Sequence, residues 1–195
     1  MEKTCEKHGF FEDQMAMDVE FLRRIEKLYP GRDYRMARLM DISVYHAPLG
    51  PRADHALDEA FAQLTEGAAG GPEELTVKGR SLPVSQAARG VARFGFAELC
   101  ENPLGAGDYL AIAGRYHAVI LAGVPPLSEN NRNEARRFMT LIDALYEHRV
   151  KLVASAEAPP EWLYPTGDGA AEFQRTVSRL QEMRSKEYIA LEHSD

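Results

Sequence analysis

The spacing of apolar residues changes character several times along the chain. Between positions 13 and 27, Met15, Met17, Val19, Phe21, Leu22 and Ile25 mix with charges at partly helical spacing until Pro30-Gly31 stops the run, which predicts a short leading helix. Positions 36–46 are apolar and β-branched enough for one or two short strands, closed by the turn signal Pro48-Leu49-Gly50-Pro51. A helix is expected over 54–64, with Leu57, Ala60, Phe61 and Leu64 on one face.

The small residues of 65–72 cannot pack and predict a hinge or surface loop. Segments 75–80 and 81–84 flank a turn and 91–96 alternates, so a small three-stranded antiparallel lobe is expected. Helix and strand then alternate: helix 108–116, strand 117–121, helix 131–148, strand 150–154, helix 172–185. The apolar runs at 118–121 and 151–154 suit parallel strands covered on both faces. Ala135, Phe138, Met139, Leu141, Ile142, Leu145 and Tyr146 form one stripe on the helix between them, which predicts a right-handed crossover.

A chain of 195 residues with 45% hydrophobic content can bury one core, or one core and a small lobe. Its net charge of -7 argues against a nucleic-acid partner, because phosphate neutralisation needs clustered Lys and Arg. The two cysteines, Cys5 and Cys100, do not make a disulfide framework, and the N-terminus lacks an apolar signal core. No run approaches the roughly 20 apolar residues of a membrane span, so a cytoplasmic location is expected. No G-x-x-x-x-G-K-[ST] string occurs, so no phosphate cradle of that kind is encoded in these residues.

Several motifs resemble one family. They are Asp33-Tyr34-Arg35, FGFAELC at 94–100, LGAGDYL at 104–110, NEARRF at 133–138, LIDALY at 141–146, KLVASA at 151–156 and QRTVSRLQEM at 174–183. Together they resemble the C-terminal half of the ZapE-type, or AFG-one-like, AAA+ ATPases, over roughly positions 33–193. The resemblance implies an α/β fold: a partial P-loop-NTPase-like parallel sheet with flanking helices plus a small antiparallel β lobe. It divides the chain into 1–31 without a family match, a mixed α/β lobe at 32–90, and an α/β domain at 91–195. For the intact family it implies ATP and magnesium as cofactors, ATP hydrolysis, and a tubulin-like division-ring partner. The family's Walker A and Walker B motifs lie upstream of the Asp-Tyr-Arg signature, so this portion alone is expected to be inactive. Ala122-Gly123, Gly114 and Ala171 depart from the family pattern, and Gly114 inside a helix costs about 1 kcal/mol relative to Ala.

The sharpest site candidates are Arg175 and Arg179, one helical turn apart, where two guanidinium groups could sense a nucleotide or reach a neighbouring subunit. The competing reading pairs them with Glu172, Glu182 or another carboxylate of the same helix. Arg136 and Arg137 read as a solvated helix face, Asp143 as a structural acid, and Asp33 with Arg35 as a local ion pair or a lid joint. Cys100 and His117 lack the nucleophile elbow of a thiol hydrolase, and Cys5-x-x-His8 is half of a metal-ligand spacing. Two other readings stay open, a non-catalytic interaction module and a gene remnant. Bare faces on strands 118–121 or 151–154 would drive self-association.

Overall fold

Two X-Gly turns build the first half of the main sheet. In the computed structural model, which describes residues 2–5, 9–12 and 43–194, the chain falls into two units, Met1–Tyr34 and Arg35–Asp195. In the first, β1 (Glu2–Cys5) pairs antiparallel with β2 (Gly9–Glu12). The helix expected over 13–27, the Asp33 and Arg35 pair, His8 and most of the strand expected before Tyr45 lie outside the described residues.

In the second unit, β3 (Tyr45–His46) leads to α1 (Pro51–Leu64), whose first position holds the proline that a helix start tolerates. Then come β4 (Gly71–Val77), β5 (Arg80–Ala88) and β6 (Val91–Gly95). Lys78-Gly79 and Arg89-Gly90 join them, and all four residues have positive φ, as two-residue primed hairpin turns require. A π-helical turn at Ala97–Glu101 precedes α2 (Ala106–Arg115), β7 (Ala118–Val124), α3 (Arg132–Glu147), β8 (Lys151–Ala156), α4 (Ala170–Glu182) and the short α5 (Lys186–Ile189).

The six-stranded sheet has the order β3-β8-β7-β6-β5-β4. β3, β8, β7 and β6 pair in parallel, whereas β4, β5 and β6 pair antiparallel. The α/β class expected from the sequence is thus observed. The antiparallel ribbon continues into the parallel sheet, because β6 pairs with β5 on one side and β7 on the other. Alternate residues divide the core. Ala92, Phe94, Val119, Leu121, Leu152 and Ala154 pack on the side of α2, α3 and α4. Val91, Ala118, Ile120 and Val153 pack with Leu57, Phe61 and Leu64 of α1 on the other.

Candidate functional site

The predicted arginines lie on α4, which is held against α3 by an apolar seam. Phe173, Val177 and Leu180 are buried with Phe138, Leu141, Ile142 and Leu145, and the Phe138 and Phe173 rings stack with centroids 6.1 Å apart. That seam fixes what the polar flank of α4 meets. Arg175 and Arg179 face Asp143 and Glu147, themselves four residues apart on α3. Both sets of ion pairs therefore run between helices rather than to Glu172 or Glu182 of α4. Glu182 instead accepts a hydrogen bond from the Tyr146 hydroxyl at 2.8 Å.

The two arginines are not equivalent. The Arg179 side chain is 13% exposed, bonds the Asp143 carboxylate through Nη1, and places Nη2 3.3 Å from Glu147 Oε1. Its guanidinium also lies 4.8 Å above the centre of the Tyr146 ring, within cation–π range. Arg175 is 63% exposed, and its Nη2 stands 3.6 Å from Asp143 Oδ2 and 4.0 Å from Glu147 Oε1. At those distances it retains donors for a further anion. It borders a cleft of about 480 Å³ with Arg136, Met139, Thr140, Asp143 and Glu172.

Phosphate binding would need amides free to point at a ligand at the carboxyl ends of the parallel strands. Two of the amides there are already engaged. The Glu98 carboxylate accepts from the amide of Gly95 and from the Ser85 hydroxyl, and the Gly123 amide donates to Ser155 Oγ at 2.9 Å. An anionic carboxylate at the end of β6 opposes a polyphosphate there. The Gly95 and Gly123 amides are thus not free to meet a polyphosphate, and the described residues contain no group of three or more His, Cys, Asp and Glu suited to a metal.

Arg136 is exposed on the cleft, while Arg137 donates to the Cys100 carbonyl at 2.8 Å and so ties α3 to the π-helical turn. Cys100 is fully buried and free, and burial pushes its thiol far above the ordinary range despite nearby Arg137. His117 precedes β7 at the amino end of the parallel strands, whereas Cys100 follows their carboxyl end. The structure does not bring this pair together.

Sequence reasoning passed over Glu147, Tyr146 and Lys151. The Asp143 and Glu147 spacing mirrors that of the arginines, and a lysine opening a buried strand was the signal for the third. Lys151 is 3% exposed, yet its Nζ donates to the carbonyls of Arg149 (2.8 Å), Tyr188 (3.3 Å) and Leu191 (2.7 Å). Burial, with the positive charge of Arg149, brings its ammonium down to about 8.

Comparison with known proteins places these features in a family. Residues 17–192 match the AFG1-like ATPase family, a match that begins upstream of Asp33. The chain is 35% identical over 163 residues to the protein named "Cell division protein ZapE" of Escherichia coli (strain K12), covering 84% of this chain and 44% of that protein. It is 34% identical over 200 residues to "Lactation elevated protein 1 homolog B" of Danio rerio, covering 85% of this chain and 40% of that one. The chain therefore spans less than half the length of these relatives. No solved structure matches it. No helix among the described residues is long and apolar enough to cross a membrane. With a match across nine-tenths of its residues, the chain belongs to the AFG1-like ATPase family.

Proposed function

We propose that this chain is a C-terminal module of an AFG1-like ATPase, cytoplasmic and acting in cell division, that contacts nucleotide or a neighbouring subunit through Arg175 and leaves hydrolysis to a P-loop half. One observation carries the reading. The family match reaches from 17 to 192, yet no G-x-x-x-x-G-K-[ST] string lies within the 195 residues. The engaged amides of Gly95 and Gly123 support it. In this reading Arg179 fixes Asp143 and Glu147, and Arg175, held more loosely, turns outward to an anionic oxygen. The partner of the assembled protein is a tubulin-like division-ring polymer, in keeping with the name of the Escherichia coli relative.

A titration of the folded 195-residue chain with fluorescent ATP and magnesium tests the division of labour. The expected outcome is no saturable binding up to millimolar nucleotide, alongside a cooperative melt. Saturable micromolar binding would place a complete nucleotide site in these residues and overturn the proposal.

A second reading, a non-catalytic interaction module, is favoured by Trp162, the single tryptophan, which is 68% exposed on the turn after β8. Large aromatics are enriched where proteins meet. Its fluorescence gives a direct reading of partner binding, and an unchanged spectrum on adding the division-ring polymer would count against that surface.

A further inference from the structure

A chain of aromatic and cationic contacts joins the C-terminal segment to the arginine cluster. The Lys151 ammonium lies 5.2 Å from the centre of the Tyr188 ring. That ring stacks on Tyr146, with centroids 5.5 Å apart and planes 17° from parallel. Tyr146 in turn carries the Arg179 guanidinium, which holds Asp143 and Glu147, the same carboxylates that Arg175 approaches. Each group is a neighbour of the next, and the path ends at the exposed arginine.

The segment that supplies Tyr188 is held as a strap. Ser185 caps α5 by accepting from the Tyr188 amide at 3.1 Å. Tyr188 joins the core on the α2–α4 side of the sheet and Ile189 the core on the α1 side, so α5 is anchored on both. Beyond it, His193 Nε2 lies 2.7 Å from the Ala113 carbonyl oxygen, and the Ser194 amide donates to the His148 carbonyl at 3.1 Å. Lys151 pins the middle through the carbonyls of Tyr188 and Leu191.

We infer that the strap of residues 186–194 is a regulatory element for the arginine pair, with Lys151, Tyr188 and Tyr146 acting as positioning residues that hold Arg179 and, through the shared carboxylates, set the resting place of Arg175. The inference rests on reading Arg175 as the anion-contacting residue and Arg179 as the group that fixes its carboxylates. When the strap is docked, Tyr188 keeps the Tyr146 ring flat beneath Arg179, and the carboxylates stay occupied. When it lifts, Tyr146 loses its stacking partner, Arg179 loses its shelf, and Arg175 must compete differently for Asp143. The coupling is reciprocal, so loss of Arg179 must loosen the strap.

The test uses the whole chain without nucleotide, so its outcome is independent of whether ATP binds. The proton on Arg179 Nε is followed by NMR exchange, and the strap by tryptic cleavage after Lys186. Tyr188→Leu and Lys151→Met are each expected to speed Arg179 exchange about tenfold. Arg179→Ala is expected to speed strap cleavage by a similar factor. Gly79→Ala, a change that strains the positive-φ turn between β4 and β5 at the far edge of the sheet, should leave Arg179 exchange as it is, which separates coupling from general loosening. If Tyr188→Leu does not fold, Lys151→Met decides alone. Arg179 exchange unchanged in the folded variants, or strap cleavage unchanged in Arg179→Ala, overturns the inference.

Discussion

Removing the Arg179 guanidinium leaves half-buried Asp143 and exposed Glu147 with only the longer contacts to Arg175, and uncovers the Tyr146 face beneath it. Charged hydrogen bonds of this kind contribute more than exposed pairs, so Arg179→Ala is expected to destabilise the fold by about 2 kcal/mol. Arg175, with contacts of 3.6 and 4.0 Å and most of its side chain in water, behaves as a surface pair, and Arg175→Ala should cost less than about 0.5 kcal/mol. Urea denaturation of both variants checks this, and equal losses would remove the asymmetry on which the outward-reaching role of Arg175 depends. Part of this was legible in the sequence, since four-residue spacing puts both arginines on one face. What that face meets was not, because Asp143 and Glu147 reach it only once the apolar stripes of α3 and α4 have found each other. The expected pairing within α4 fails for the same reason: Glu182 is taken by Tyr146, from the neighbouring helix.

Glycines at the element scale divide into those a turn needs and those it does not. Gly114 sits exposed in α2, and a Cβ built there meets nothing within 4 Å. Gly114→Ala should therefore raise stability by about 1 kcal/mol, the difference in helix propensity alone. Gly90 has φ of 77°, and an added Cβ would stand 2.8 Å from His117 Cδ2. Gly90→Ala is expected to cost about 2 kcal/mol through a strained backbone and a displaced ring. Thermal melts of the two variants should shift in opposite directions, and a matching sign would contradict the geometry. The elements themselves were read well where one physical cause dominates. Runs 118–121 and 152–154 are apolar at every position because both faces are covered, and that pattern survives without knowledge of neighbours. The run 91–96 alternates as any half-buried strand does, so its spacing cannot say that the next partner is the parallel β7 rather than a lobe of its own. The π-helical turn at Ala97–Glu101 was invisible for a related reason. Its buried Leu99 and Cys100 suit several local conformations, and the turn is held by contacts from afar, with Tyr109 and Arg137 donating to the carbonyls of Leu99 and Cys100.

For the molecule as a whole, two buried groups on opposite sides of neutrality should hide each other in the pH dependence of stability. Burial holds the Lys151 ammonium at about 8, below its unfolded value of about 10.4, so the unfolded chain binds more protons between those limits and stability rises with pH across that window. Burial raises the Cys100 thiol instead, so the unfolded thiol ionises first, near about 8.5, and from there stability falls as pH rises. Each group contributes a slope of at most about 1.4 kcal/mol per pH unit, with opposite sign. From about pH 8.5 to 10 the wild-type chain should therefore show nearly flat stability. Above about pH 10 the partly buried Tyr45 and the buried Tyr109 and Tyr188, also raised by burial, add a common fall. Single substitutions separate the terms. Lys151→Met removes the rising component, so its stability should decline from about pH 8.5 onward, whereas Cys100→Ala removes the falling one and should gain stability from pH 8 to 10. Urea denaturation of the three chains at half-unit steps from pH 7 to 10.5 measures the slopes directly. Parallel curves for all three would mean that neither Lys151 nor Cys100 changes its proton affinity on folding.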